Sequence, residues 1–359
     1  MDSTSAPHFI EHRRKTLDYT PHDTKWIPHS SRFVCTGISS KGKGVVEVYQ
    51  LSSDGLSASS KRTMQEGIKC CTFGASSLED RLLAYGDYSG TLSMCDIERS
   101  DTSDPVYSVQ GHKSIINAID GIGGINEGHG APELVTGSRD GCVRLWDPRI
   151  NKPVLSMEPE DGQNPRDCWA VSFGNSYSEE ERCICAGYDN GDVKMFDLRK
   201  NSIIWETNCN NGVTSIEFDR DDIEMNKMVV TTLESKFRCY DLRTQHKTDD
   251  FAFLSERSHR STVWLAKHLP QNRDIFMTGG GNGGFNVYKY HYPRKRVDKH
   301  KEDQAPIGVV GSVELLNSRV VSTQPIVSFD WSPDREGLAS MCCLDQTLRV
   351  YIVTNLDKY

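Results

Sequence analysis

The sequence predicts an all-β fold, a single seven-bladed β-propeller, from three repeated features. Seven hydrophobic runs end on an aromatic residue or a cysteine, and these ends are Tyr49, Cys95, Trp146, Phe196, Tyr240, Tyr288 and Tyr351. Successive ends lie 46, 51, 50, 44, 48 and 63 residues apart, close to the ~40–45 residues of a four-stranded propeller blade. Six residues before each end stands a polar turn residue, usually followed by glycine: Lys43, Ser89, Asp140, Asn190, Glu234, Asn282 and Asp345.

The repeats hold the runs needed for four strands, except that the last repeat has only three. The innermost strand ends at an aromatic residue before a polar loop, as at Phe73, Phe173 and Phe218. A second apolar run precedes the turn, the third is the run described above, and a fourth follows it. Pro, Gly, Asp and Ser between the runs supply turn geometry that a continuing strand would not adopt. We expect one domain over residues 1–359, with blades at 18–66, 67–110, 111–164, 165–210, 211–258, 259–324, and 325–359 plus 1–17.

The N-terminal segment is expected to close the ring. A seam between the first and last blades would expose sheet edges, which natural β-proteins cover. Little chain follows Tyr351, whereas residues 8–12 alternate between apolar and polar side chains as a strand does. The prediction is therefore that the N-terminal strand completes the last blade.

Composition narrows the class of protein. The 359 residues are 36% hydrophobic and 26% charged, enough apolar material for a packed core. A formal charge of −8 argues against nucleic acid or an anionic membrane as the main partner, because both attract cationic faces. The start of the chain does not resemble a signal peptide and no apolar run approaches the ~20 residues of a membrane span. We expect a cytoplasmic monomer whose 12 cysteines are reduced core residues.

Motifs for catalysis, cofactors or metals are missing from the sequence. There is no phosphate-binding loop, no Gly-x-Ser-x-Gly and no Cys-x-x-Cys, and the glycine run 279–284 lies between two strands, not at a helix start. Cys183 and Cys185 share a strand face without a set of His or Cys partners to complete a zinc site. We expect no cofactor and no enzymatic activity. A hydrolase that uses channel carboxylates such as Asp189 is the alternative.

One repeat resembles the full signature of the WD-repeat family. Gly111-His112, then Thr136 to Gly141, then Trp146-Asp147 match that signature in order. In the family, the His, a strand hydroxyl, the turn Asp and the Trp form a buried hydrogen-bonded set. The resemblance therefore implies a structural tetrad of His112, Asp140 and Trp146 with Thr136 or Ser138 as the hydroxyl.

Longer strings resemble the Monad family of WD-repeat proteins over essentially the whole chain. They include residues 111–124, 166–169, 186–192, 261–264 and 322–326. The resemblance implies a cytoplasmic adaptor that works with a RuvB-like ATPase and prefoldin-like co-chaperone assembly. It also implies a role in pre-assembling axonemal dyneins for motile cilia, with dynein heavy chains among the partners.

A partner-binding face is expected where the innermost strands begin. Counting back from the first-strand aromatic and from the run end gives Lys69, Tyr88, Arg139, Trp169, Asp189 and Trp264, with Arg166, Asp167, His259 and Arg260 around them. Trp is enriched in interface hot spots. The alternative is that each Trp packs between blades as core.

Two further features leave alternatives open. The boxes Asp147/Arg149, Asp197/Arg199 and Asp241/Arg243 resemble the motif by which WD propellers dock onto the damage-specific DNA-binding adaptor of cullin-RING ubiquitin ligases. A substrate receptor of such a ligase is thus the second functional hypothesis, and a loop-bracing ion pair is the structural alternative. The basic stretch 291–303 is either a solvated loop or a docking site for an acidic partner.

Overall fold

The computed structural model describes residues 6–77, 79–99, 104–124, 130–159, 164–178, 180–246, 250–298 and 307–359. Within these ranges the regular structure is β-strand, apart from one 3-10 helix at Leu356–Lys358. Seven four-stranded antiparallel sheets account for all strands except one short hairpin. The described residues contain no helix with the length and apolar character needed to cross a membrane.

The strands follow the chain blade by blade. After β1 (His8–Thr16), the first blade contains β2 (Tyr19–Trp26), β3 (Arg32–Ser39), β4 (Gly44–Ser52) and β5 (Gly55–Met64). The second contains β6 (Ile68–Thr72), β7 (Leu82–Asp87), β8 (Thr91–Asp96) and β9 (Tyr107–Gln110). The third contains β10 (Ile116–Ile122), β11 (Glu133–Ser138), β12 (Val143–Trp146) and β13 (Pro153–Met157).

The fourth blade contains β14 (Cys168–Gly174), β15 (Cys183–Tyr188), β16 (Asp192–Asp197) and β17 (Ser202–Asn208). The fifth contains β18 (Val213–Phe218), β19 (Lys227–Thr232), β20 (Lys236–His246) and β21 (Asp250–Arg257). The sixth contains β22 (Val263–Leu269), β23 (Asn272–Gly280) and β24 (Gly284–His291), then the hairpin of β25 (Val297–Asp298) and β26 (Ile307–Gly308), then β27 (Ser312–Val320). The last contains β28 (Ile326–Trp331), β29 (Leu338–Cys343) and β30 (Thr347–Thr354).

The first strand of each blade lies innermost. Neighbouring first strands contact one another around the ring, and β28 contacts β2, so the ring is closed. We call the end at which first strands begin the upper face and the end at which they finish the lower face. Because successive strands are antiparallel, the turn between the second and third strands lies on the upper face and the turn between the third and fourth on the lower face. The seven-bladed propeller predicted from the repeats is confirmed.

Strand β1 completes the last blade, as predicted. It pairs antiparallel with β30 from His8↔Thr354 to Thr16↔Thr347, with a register shift between Glu11 and Arg13. Sheet order in this blade is β1-β30-β29-β28, so the chain's first strand is the outermost strand of its last sheet. The ring is held by backbone hydrogen bonds between segments more than 330 residues apart in sequence.

The core lies between adjacent sheets. Between the last two blades, Phe9, Phe285, Phe329, Trp331 and Tyr351 form one buried cluster, with the rings of Phe285 and Phe329 5.3 Å apart. All the cysteines are buried and none forms a disulfide. Burial of these apolar and sulfur-bearing side chains is the main source of stability in such a stack of sheets.

Candidate functional site

A hydrogen-bonded network in the third blade links strands β11 and β12 to the loop before β10 and to the turn after β11. His112 lies 2.7 Å from the Thr136 hydroxyl through Nε2 and 3.2 Å from Asp140 Oδ1 through Nδ1. The Trp146 indole donates to the same Thr136 hydroxyl at 2.8 Å. Burial raises the pKa of Asp140, but its bonds with His112 and the Lys113 backbone N–H outweigh burial and hold that pKa well below its ordinary value.

Thr136, and not Ser138, supplies the hydroxyl of this network. Ser138 Oγ donates to the Ser114 carbonyl at 3.2 Å and accepts from the Asp140 N–H at 3.1 Å, so it braces the upper turn. The placement of Ser138 in the tetrad is therefore corrected. A network with all its polar groups satisfied stabilises the blade and offers no free group for catalysis.

His259 belongs to a similar network in the sixth blade. It is buried, and its Nε2 lies 2.9 Å from the Thr278 hydroxyl, which also contacts Ser258 Oγ at 2.7 Å. Burial lowers the pKa of His259 to about 4, so the imidazole is neutral. The expectation that His259 lies on the partner-binding face is wrong, because the side chain points into the blade.

Two tryptophans lie at the same position in different blades on the upper face. Trp264, on β22, is 37% exposed, and a Cβ built on Gly281 would lie 3.3 Å from its indole nitrogen. Trp169, on β14, is half-buried, and a Cβ on Gly212 of the next blade would lie 2.8 Å from its ring. Trp169 therefore packs partly between blades, whereas Trp264 projects from the face.

Charged side chains of both signs surround the tryptophans. Arg139 is exposed and lies 3.6 Å from Asp167, and Arg166 and Arg260 are exposed as well. Asp189 has one buried carboxylate oxygen, Oδ1, with no hydrogen-bond partner among the described residues. An oxygen in that state is costly to keep in a free protein and accepts a donor readily.

The second-blade part of the upper face is more closed. The Tyr88 hydroxyl lies 3.4 Å from the His22 ring, and His22 Nδ1 lies 2.9 Å from the Ile68 carbonyl. Burial lowers the pKa of His22 to about 4. Tyr88 and Lys69 are both partly exposed. We define the upper patch as Lys69, Tyr88, Arg139, Arg166, Asp167, Trp169, Asp189, Arg260 and Trp264.

The three Asp/Arg boxes share one backbone feature and differ in their arginines. Asp147, Asp197 and Asp241 each accept the backbone N–H two residues on, at 2.9, 2.9 and 3.2 Å, and so fix the lower turn. Arg149 is exposed and pairs with its own Asp147. Arg199 is exposed and reaches Glu180 at 3.6 Å. The Arg243 side chain is buried.

The third box is therefore closed to a partner. Arg243 Nε donates to Asp241 Oδ1 at 2.8 Å, and the Tyr292 ring covers the guanidinium at 4.4 Å. Tyr292 comes from the sixth blade, in the first part of the basic stretch, and its hydroxyl also lies 2.9 Å from the buried Lys227 ammonium. The first part of the stretch thus packs on the fifth blade. Residues 299–303 of the stretch lie outside the described residues.

A cavity of about 490 Å³ lies at the lower face, and the sequence analysis did not predict a binding site there. Its lining includes the residue directly before the first-strand aromatic or its equivalent in six blades: Lys25, Thr72, Asp120, Glu217, Lys267 and Asp330. Five of these six side chains carry charge, in strands otherwise rich in apolar residues. That recurrence at one position of the repeat is the signal that could have located the cavity.

The chain is similar to known proteins both in its third blade and over nearly its whole length. The family model described as "WD domain, G-beta repeat" matches residues 103–147, the segment that carries the hydrogen-bonded network. The chain is 54% identical over 353 residues to the Xenopus tropicalis protein called dynein axonemal assembly factor 10, covering 98% of each chain. It is 53% identical over 359 residues to the Homo sapiens protein of that name and 50% identical over 360 residues to the Chlamydomonas reinhardtii one, covering 100% of each chain in both cases.

Proposed function

Because the chain belongs to the dynein axonemal assembly factor 10 family of WD-repeat propellers, we propose that it is a non-enzymatic adaptor for the pre-assembly of axonemal dyneins in the cytoplasm. The observation that carries the proposal is similarity along the whole chain, at 50–54% identity, to proteins named for that assembly. A propeller fold alone would indicate only a binding platform.

The partners in this proposal are the RuvB-like ATPase and prefoldin-like co-chaperone complex on one side and dynein heavy chains on the other. The upper patch is the proposed contact surface. Trp264 is exposed beside Arg260, and Asp189 holds an unpartnered buried oxygen on the same face. An aromatic anchor with mixed charges around it suits a protein surface better than a single-sign ligand.

The test is co-purification of the tagged chain from the cytoplasmic fraction of ciliated cells. We expect RuvB-like ATPases, prefoldin-like subunits or dynein heavy chains with the wild type, and their loss with Trp264→Ala plus Arg260→Glu. Arg260 is exposed, whereas Trp264 is 37% exposed and also packs beside Gly281, so unfolding curves check that the double variant is folded. Trp169→Ala is added separately, because that ring also packs on Gly212.

The matched control replaces exposed apolar residues elsewhere. Val154→Ala plus Ile203→Ala alters two outer strands, where the side chains are 54% and 45% exposed, somewhat more than Trp264. Retention of partners by this control and their loss in the upper-patch variant support the proposal. Equal recovery of partners by both variants, with unchanged thermal unfolding, would refute the role of the upper patch.

A substrate receptor of a cullin-RING ligase is the second candidate, and one observation favours it. Arg149 and Arg199 are both exposed on the lower turns of neighbouring blades. Arg149→Ala plus Arg199→Ala should then abolish recovery of the ligase adaptor without unfolding the protein. Arg243 is excluded from this role because Tyr292 covers it. If the wild type recovers no cullin or adaptor, this candidate is rejected.

A further inference from the structure

The cavity at the lower face has an uneven set of charges. Among the described residues, its lining has three cations, and these are Lys25, Arg220 and Lys267. The same described lining has six carboxylates, and these are Asp120, Glu217, Asp219, Asp221, Asp222 and Asp330. Lys267 is paired with Glu217 at 2.5 Å, and Arg220 is paired with Asp222. Lys25 is paired at 3.0 Å with Asp23, two residues earlier on the same strand. Each cation of the lining thus already has a carboxylate partner.

Asp120 and Asp330 lie near the ammonium groups of Lys25 and Lys267, whose charges partly offset the effect of burial on the pKa of both carboxyl groups. Asp120 accepts backbone N–H groups from Gly121 at 2.9 Å and from Phe173 of the next blade at 2.8 Å. Asp330 accepts the Trp26 N–H at 2.7 Å across the seam between the last and first blades. Neither forms an ion pair with a described residue. Burial raises the pKa of both carboxyl groups, which reflects the cost of keeping their charge in this cavity.

His268 adds an unpartnered polar group to the same cavity. It is 6% exposed, lines the cavity, and neither of its ring nitrogens has a hydrogen-bond partner among the described residues. Burial lowers its pKa to about 3, so the ring is neutral and offers one donor and one acceptor. A buried polar group without a protein partner is uncommon, and within the part of the chain that the structure describes His268 is such a group, in the wall of this cavity.

The cavity walls are rigid. The Trp26 indole donates to the Asp330 carbonyl at 3.2 Å, and the Trp331 indole donates to the Lys267 carbonyl at 3.3 Å. Each tryptophan thereby fastens its own blade to the preceding one. The volume of about 490 Å³ falls within the usual ~300–1,000 Å³ of ligand sites.

We propose that the lower cavity is a second binding site of the protein, and that it takes an arginine side chain from a partner protein. A guanidinium has a positive charge and five donors in a planar fork, which suits a cavity lined, among the described residues, by six carboxylates and only three cations. An anion is disfavoured because all three of these cations already have carboxylate partners.

The test uses calorimetric titration of the full chain with the tripeptide acetyl-Ala-Arg-Ala-amide. We expect saturable binding below about 10 mM. The same peptide with citrulline, the neutral isostere of arginine, should bind at least about tenfold more weakly, because one ion pair in a partly buried site is worth that much. Failure of the arginine peptide to saturate, or equal binding of the citrulline peptide, would overturn the proposal.

Variants locate the site. Asp120→Asn plus Asp330→Asn removes both charges, so binding should fall at least about tenfold. The amide oxygen at position 330 can still accept the Trp26 N–H, whereas the one at position 120 can accept only one of the two N–H groups from Gly121 and Phe173. Asp54→Asn, in the exposed lower turn between β4 and β5 and outside the cavity, is the matched control and should bind like the wild type. Unfolding curves verify that each variant is folded. Unchanged binding by the folded double variant would refute the assignment.

This inference does not rest on the upper patch. The Trp264→Ala plus Arg260→Glu variant should bind the arginine peptide normally, even when its assembly partners are lost. Loss of peptide binding in the Asp120/Asp330 variant with retention of upper-face partners would show two separate sites.

Discussion

Closure of the ring by β1 yields a sharp prediction, because adjacent residues on that strand face opposite ways. Phe9 is 7% exposed, and its ring lies 4.7 Å from Phe285 in the core between the last two blades. Ile10, the next residue, is 50% exposed. Phe9→Ala and Ile10→Ala therefore form a matched pair, because both shorten an apolar side chain on β1 but only Phe9→Ala removes packing from the core.

Phe9→Ala should lower the free energy of unfolding by about 3 kcal/mol, at the low end for a buried phenylalanine because it lies on an outer strand. Ile10→Ala should lower it by about 1 kcal/mol or less. The unfolding entropy scales as ~2.1 cal/mol/K per residue, so 3 kcal/mol in a chain of 359 residues lowers the melting temperature by about 4 °C.

The assay is urea unfolding followed by intrinsic fluorescence, with calorimetry for the melting temperature. Glu11→Gln extends the test, since Glu11 pairs with the buried Arg349 at 2.9 Å and accepts the Tyr351 hydroxyl at 2.9 Å. If Phe9→Ala and Ile10→Ala have equal effects, β1 does not pack as described and the closure argument fails.

Two further predictions concern buried polar groups. Thr136→Val leaves the His112 imidazole and the Trp146 indole without their shared partner, so urea unfolding should show a loss of about 3 kcal/mol in stability. Ser138→Ala should cost about 1 kcal/mol. Equal destabilisation by the two variants would contradict the assignment of the tetrad hydroxyl to Thr136. Burial lowers the pKa of His22 and His259 to about 4 and that of His268 to about 3, below the ~6.5 of an unfolded chain. Protons therefore bind the unfolded chain more readily, so the folded protein keeps its full stability above about pH 6.5 and loses stability as the pH falls toward 4. At pH 5 each histidine should cost about 2 kcal/mol relative to pH 7, and a His268→Phe variant whose unfolding shows the same pH dependence as the wild type would contradict this.

The repeat pattern predicts the propeller and its closure because both depend on hydrophobic alternation and turn residues, which are local in sequence. It cannot choose between Thr136 and Ser138, since residues two apart on a strand share a face. Their partners differ only through the position of Ser114 and Trp146 in three dimensions.

Errors in site prediction arise from contacts between distant segments. His259 is buried because Gly280 and Gly284 leave room for its ring, where a Cβ on either would lie 2.7 Å from an imidazole atom. Arg243 is covered by Tyr292, which is 49 residues farther along the chain. Counting positions from a run end identifies the face of a strand but gives no information about which neighbour fills the space beside it.

The two proposed sites are connected by a short and stiff element. Strand β22 carries Trp264 on the upper face and Lys267 and His268 in the lower cavity, so about 10 Å of extended backbone separates them. That strand is paired with β23 and contacts the first strands of both neighbouring blades, β18 and β28, which leaves it little freedom to shift. Binding on one face should therefore leave affinity on the other nearly unchanged. This independence is what an adaptor requires, because a rigid propeller can hold two proteins at a fixed separation without either one displacing the other.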